Sequence, residues 1–216
     1  MQHDFQYVSE SEAKEVKKVL LNIINEVQDI VREDFTFQYH FIGSASRNMI
    51  TYDKKSNIGY DFDIDLCINV GRDKYEPGVI RRIIRDALNQ VVRKYGYGWC
   101  QDSTRVLTIK RVNHWASKIE YSCDIAIIRD CKKGKKQYIR YNKKQQNCTW
   151  EFQPAGYQEL PRKIEWLEKK DLWDELRDYY IYKKNKNTNL DKKSRAIFAE
   201  TVNEMCQKNG YKGKKN

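Results

Sequence analysis

Between Asp61 and Val70 the chain reads DFDIDLCINV, and two demands alternate along it residue by residue. Phe62, Ile64, Leu66, Ile68 and Val70 fall on one side of an extended chain, while Asp61, Asp63 and Asp65 fall on the other. A period of two predicts a strand with one face in a core. The opposite face then holds like charges at alternate positions, where they repel unless a cation lies between them. The segment therefore predicts a strand whose second face serves chemistry rather than packing.

The surrounding pattern predicts what that strand joins. Residues 10 to 32 carry Val16, Val19, Leu20, Ile23, Ile24, Val27, Ile30 and Val31 at helical spacing, with Ser9 and Glu12 as a capping box. Phe35, Phe37, Tyr39 and Phe41 alternate in a strand over 35–42, broken by Gly43-Ser44, and a short helix is expected over Ala45 to Ile50. A second helix lies within 76–98, with Pro77 at its start and glycines after its end. Strands follow at 104–112 and 117–128, and 137–142 is expected to pair back across a Lys-Gly-Lys turn. Beyond residue 159 only helical periodicity remains. The expected fold class is α+β: a mixed sheet flanked by helices over residues 1–150, and a helical subdomain over 151–216 joined near Pro154 and Gly156.

Composition narrows the function classes. Fifteen tyrosines and an aromatic content of 12% mark a folded chain. No run approaches the ~18 apolar residues of a membrane span, and the acidic, polar N-terminal stretch does not read as a signal peptide, so a cytoplasmic protein without a membrane partner is expected. Six cysteines without CxxC spacing read as reduced thiols, and three scattered histidines do not suggest zinc. The net charge of +11 is concentrated in 129–144 and beyond Lys183, whereas residues 1 to 70 are net acidic. That asymmetry suits a polyanionic partner such as a nucleoside triphosphate or nucleic acid, or else a solvated lysine-rich surface.

Asp63 and Asp65 lie two apart on one strand face, an arrangement suited to Mg²⁺, which takes one or two carboxylates together with substrate phosphates. Asp124 stands in a second strand among Cys123, Ile125, Ile127 and Ile128, where an isolated charge is expensive. If the two strands are neighbours, three carboxylates can hold two metals about 3.5–4 Å apart. Gly43 and Ser44, after a strand and before a helix, supply backbone and hydroxyl contacts for phosphate, with Ser46 and Arg47 close by. Asp61 shares the acid face, so an Asp61/Asp63 register stands beside the preferred Asp63/Asp65 one.

Strand, Gly-Ser, helix, then Asp-x-Asp-Leu and later a single Asp: with IGS at 42–44, DIDL at 63–66 and CDIAI at 123–127, the chain resembles the DNA polymerase β-like nucleotidyltransferase superfamily over residues 35 to 130. It is most similar to the branch of oligoadenylate synthetases and bacterial cyclic-oligonucleotide synthases. The resemblance implies triphosphate contacts at Gly43 and Ser44, and two Mg²⁺ ions, with Mn²⁺ as a substitute, held by Asp63, Asp65 and Asp124 as the catalytic residues. It implies transfer of a nucleoside monophosphate from an NTP such as ATP to an acceptor hydroxyl, with release of pyrophosphate.

The acceptor is read as a nucleotide, with an RNA end, a small molecule or a protein hydroxyl as alternatives. A non-catalytic nucleic-acid-binding protein on the same fold is the rival of another class. Lys192, Lys193 and Ser194 open a helix and suit either phosphate or solvent. The tract from Lys132 to Lys144, with Tyr138 and Tyr141, suits either a nucleic-acid backbone or a charged hairpin tip. Trp166, Trp173, Tyr179 and Tyr180 read as helix packing.

Overall fold

The computed structural model describes residues 3–69, 71, 74–131, 135–153, 159–189 and 191–213. In chain order the elements are β1 (Phe5–Tyr7), α1 (Glu10–Val31), β2 (Thr36–Ile42), a 3-10 turn (Ala45–Arg47), β3 (Thr51–Asp53), β4 (Tyr60–Asn69) and α2 (Pro77–Val91). They continue with a 3-10 turn (Val92–Tyr95), β5 (Gln101–Asp102), β6 (Leu107–Asn113), β7 (Lys118–Asp130), β8 (Lys136–Asn142), β9 (Asn147–Phe152), α3 (Leu160–Lys169), α4 (Trp173–Lys186) and α5 (Ser194–Lys208). They form two compact units.

The larger unit comprises Val8–Tyr52 and Ser56–Gln153. Its seven-stranded sheet runs β2-β4-β7-β6-β5, with β8 also pairing β7 and β9 pairing β8. β4 and β7 are parallel, and the other pairs in this sheet are antiparallel. The α+β reading with a mixed sheet is thus the observed fold.

One face of the sheet is the core. Phe62, Ile64 and Leu66 of β4 are wholly buried with Ile125 and Ile127 of β7, and Leu107 and Ile109 of β6. α1 adds Leu20, Ile23, Ile24 and Val27, and α2 adds Ile80, Ile84 and Leu88, to the same cluster. Each such side chain contributes roughly 1.5–3 kcal/mol on leaving water.

The helix ends follow their sequence signals in part. The Ser9 side chain accepts from Glu12 N at 3.2 Å, but the Glu12 carboxylate accepts from the Tyr60 hydroxyl at 2.8 Å instead of closing the capping box. Pro77 opens α2, and Gly96, at φ 78°, ends the turn that follows it. Arg81, buried on α2, donates to Asp102 Oδ1 and to the carbonyls of Ser103 and Val106, which pins the helix to the β5–β6 connection.

The smaller unit comprises Met1–Tyr7, Asp53–Lys55 and Pro154–Asn216. α5 packs on α3 and α4, with Leu167, Leu176, Ile197, Val202 and Met205 buried. The N-terminal strand belongs here too. Phe5 N donates to Asn185 Oδ1 at 2.6 Å, the Tyr7 hydroxyl donates to the Arg177 carbonyl at 2.8 Å, and the Lys184 ammonium lies 3.8 Å from the centre of the Phe5 ring.

Some elements depart from the sequence reading. The helical run after residue 159 breaks in two at Asp171, which adopts φ 57° between α3 and α4. The short strands β1, β3 and β5 carry too few residues for a visible period, whereas β9, absent from the sequence reading, alternates Cys148, Trp150 and Phe152 with polar residues. Val70, Lys132–Gly134 and the expected joint at Pro154 and Gly156 lie outside the described residues. No helix among the described residues is long and apolar enough to cross a membrane.

Candidate active site

Pairing register decides which acidic residues meet. In the parallel β4–β7 pair Asp63 stands opposite Asp124, Asp61 opposite Ser122 and Asp65 opposite Ala126. Across β2 the partners are Ile42 for Asp63 and His40 for Asp65, and across β6 Thr108 stands opposite Asp124 and Lys110 opposite Ser122. Partners in register point to the same face. One row across the sheet therefore reads Ile42, Asp63, Asp124, Thr108, on the face away from α1 and α2. The Asp61–Ser122–Lys110 row lies to one side of it and the His40–Asp65–Ala126 row to the other.

Two hydroxyls brace this face. Thr108 Oγ1 donates to Asp124 Oδ1 at 2.6 Å, and Ser122 Oγ donates to Asp61 Oδ1. Gly43 begins the turn after β2 with φ 64°, and a Cβ there would lie 2.6 Å from Asp63 Oδ2. Both the left-handed backbone and the approach to the carboxylate thus require glycine. The turn is held by the Ser46 hydroxyl, which donates to the Gly43 carbonyl at 3.0 Å, and by Lys17 Nζ, which donates to the Ala45 carbonyl at 2.7 Å.

The helix expected over Ala45 to Ile50 is a single 3-10 turn, Ala45–Arg47, because Asn48 turns left-handed at φ 53° and Met49 N closes back on the Ser44 carbonyl. The backbone after Ser44 is thereby a tight turn rather than the start of a helix with a useful dipole.

Electrostatics agree with the geometry. Burial, then the neighbouring charges of Asp124, Asp61 and Asp65, push the Asp63 carboxyl up to about 6, against a partial offset from Arg47. Burial also raises Asp124, opposed by the Thr108 hydrogen bond, and raises Asp65, opposed by Lys136 and His40. These groups titrate as a coupled set.

Asp63 and Asp124 are thus direct neighbours, Gly43 lies against Asp63, and Asp65 shares their face one row away. Among the described residues no three His, Cys, Asp or Glu side chains form a ready-made metal cluster. The donor set fits a cation completed by water and phosphate, as magnesium prefers: hard carboxylate oxygens in register beside a glycine turn that leaves room for close approach.

Thr108, Ser122 and Lys110 were not picked out from the sequence, and Lys136 entered only as part of the basic tract from Lys132 to Lys144. Their spacing within each strand places them on a face, but which carboxylate they meet depends on strand register. In the smaller unit Lys192 pairs with Glu200, Lys193 stands just before α5 without a side-chain cap, and Ser194 begins the helix. In the basic hairpin Tyr138 is 7% exposed with the Arg105 guanidinium over its ring, so it offers no free stacking face.

Comparison with protein-family models gave no match, and comparison with curated sequences gave none either. Solved structures do match. The Vibrio cholerae DncV cyclic AMP-GMP synthase, described as a prokaryotic cGAS homologue, aligns with TM-score 0.66 and 11% identity over 91% of this chain and 67% of its own. The same enzyme in its 3'-deoxy GTP bound form aligns with TM-score 0.67 and 12% identity, over 91% and 66%. Escherichia coli DncV in its 3'-deoxy GTP bound form aligns with TM-score 0.63 and 11% identity, over 91% and 68%. The chain therefore spans about two thirds of the length of these enzymes. At such identities the likeness speaks for architecture alone: the chain has the fold of the DncV synthases over the part that aligns.

Proposed function

We propose that the protein is a metal-dependent nucleotidyltransferase that moves a nucleoside monophosphate from an NTP to an acceptor hydroxyl and releases pyrophosphate. The observation that carries this reading is the register of Asp63 with Asp124, on the sheet face away from the helices, with the Gly43 turn against Asp63. Two carboxylates brought side by side in a partly buried row cost stability, and a cation with a polyphosphate recovers it.

In this reading Asp63, Asp65 and Asp124 hold Mg²⁺ or Mn²⁺, with Asp61/Asp63 as the alternative register on β4. The metal ions supply charge neutralisation on the triphosphate and lower the pKa of a bound hydroxyl. The chain's own residues position. Gly43 and Ser44 bring backbone and hydroxyl to the phosphates, and Arg47 supplies positive charge on the same side. Thr108 fixes Asp124, which would hold the acceptor hydroxyl and assist its deprotonation. Positioning and charge stabilisation carry such a reaction, with little covalent chemistry for the protein.

The acceptor is read as a nucleotide, in second-messenger or oligonucleotide synthesis. Lys110 lies one row from Asp124, Lys136 acts on Asp65, and Arg105 lies over Tyr138 further along β8. These cations favour a phosphorylated acceptor over a polycationic one. They also support the second reading, an RNA end as acceptor.

The test is incubation with each labelled NTP and Mg²⁺, followed by product analysis. Metal-dependent pyrophosphate release that Asp63→Asn abolishes is the expected result. Nucleic-acid binding that needs no metal and survives Asp63→Asn would point to the non-catalytic alternative.

A further inference from the structure

Behind the acidic row, on the helix side of the same two strands, the larger unit has a cleft. Tyr60 and Tyr121 stand opposite each other in the β4–β7 pair, one residue before Asp61 and Ser122, and so point to the other face. Their rings stack with centres 5.6 Å apart and planes at 29°. They line a cleft of about 700 Å³ together with Tyr52, with Glu12 and Glu15 of α1, and with Glu120. Its size is that of a small-molecule site.

The floor is set by the backbone. Ile119 N donates to the Asn57 carbonyl at 3.0 Å, and a Cβ on Gly59 would run into the Glu120 carbonyl, so only glycine lets the two chains meet there. Ile58, 64% exposed, gives the cleft an apolar edge.

Its acids are only partly used by the fold. Glu12 is turned from its capping box towards the cleft, where it accepts from the Tyr60 hydroxyl at 2.8 Å. Glu120 is shared by Arg111 and Asn113. Glu15 lies beyond the first turn of α1, where the helix dipole no longer favours an acid, and makes no hydrogen bond or ion pair among the described residues. Among the described residues that line the cleft, Lys118 is the one cation. This excess of acid stands out in a chain of net charge +11.

A second acidic cleft, between α4 and α5 in the smaller unit, is built differently. There Glu175 pairs with Lys208, and Glu204 pairs with Lys183 and accepts from the Tyr179 hydroxyl. The fold's own cations answer those acids, whereas Glu15 is left for a ligand. Aromatic faces attract a cation through the ring quadrupole, and carboxylates beside them supply charge-assisted hydrogen bonds.

We propose that the cleft behind the β4–β7 pair binds a small organic cation, an ammonium or guanidinium group on an apolar stem. Glu12 and Glu15 are its countercharges, and Tyr52, Tyr60 and Tyr121 are its walls. The site shares no residue with the acidic row and stands independently of the transfer reaction.

The test is isothermal titration calorimetry of the whole chain with agmatine, which carries a guanidinium and an ammonium on an apolar stem, and with glutarate, an anion of similar length. Saturable agmatine binding with Kd below about 1 mM, and no binding of glutarate, is expected. Glu12→Gln and Glu15→Gln should each weaken agmatine about fivefold, and Tyr121→Leu about threefold, while Asp63→Asn leaves it unchanged. Circular dichroism checks that each variant folds; where Tyr121→Leu does not, Glu15→Gln, at an exposed position, decides. Absence of saturable binding, equal binding of glutarate, or affinity indifferent to both Glu12→Gln and Glu15→Gln overturns the proposal. Binding that is lost in Asp63→Asn and kept in Glu15→Gln also overturns it, by placing the cation on the acidic face of the sheet.

Discussion

The two faces of β4 are built on opposite terms. One presents Tyr60, Phe62, Ile64, Leu66 and Ile68, each less than 10% exposed, to the helices. The other presents Asp61, Asp63 and Asp65, and parallel pairing with β7 adds Asp124 beside Asp63. The first face lowers the free energy of the folded chain with every side chain. The second raises it, because burial and like charge hold the Asp63 carboxyl near 6. A single strand with period two can thus separate stability from chemistry by the pleat alone: what the covered face gains offsets what the acidic face costs.

The sharpest way to break this contrast is on the covered face. Phe62→Ala, at a wholly buried site, is expected to cost about 3–5 kcal/mol in denaturant unfolding. A loss of under about 1 kcal/mol would mean that this face is not closely packed.

The acidic face should respond with the opposite sign. Asp63→Asn is expected to stabilise the metal-free protein at pH 7 by on the order of 2 kcal/mol while abolishing transfer activity. The sign follows from protons bound. The folded carboxyl sits near 6 against an ordinary 3.8, so between those values the folded state holds more protons than the unfolded. Metal-free stability should accordingly fall as pH rises from about 4 to about 6, and stay lower above. Thermal unfolding across that range should show the slope in the wild type and a weaker slope in Asp63→Asn. An unchanged slope in the variant would assign it to other groups.

The smallest effect belongs to the hydroxyl at the end of the row. Thr108→Val leaves the shape and removes the bond to Asp124 Oδ1, and should weaken metal affinity about tenfold. Thr108→Ser should restore it. Loss without rescue by serine would point to packing instead.

Much of this was legible in the chain. The alternation at 61–69 specified both faces of β4, and the apolar period over 10–32 specified α1, because each element buries a long, regular stripe. The candidate acids were legible for the same reason: charge on a strand pattern stands out. What stayed hidden depends on register or on short stretches. Thr108 and Ser122 are ordinary strand residues until pairing sets them against Asp124 and Asp61. The turn after Ser44 stops at Asn48 because one residue enters the left-handed region, a local event that helical spacing does not report.

The most direct test is an electron-density map of the protein with Mn²⁺ and a non-hydrolysable NTP. The account predicts metal density shared by the carboxylates of Asp63 and Asp124, with the triphosphate against Gly43 and Ser44. A triphosphate bound elsewhere, or metal that touches neither carboxylate, would contradict it.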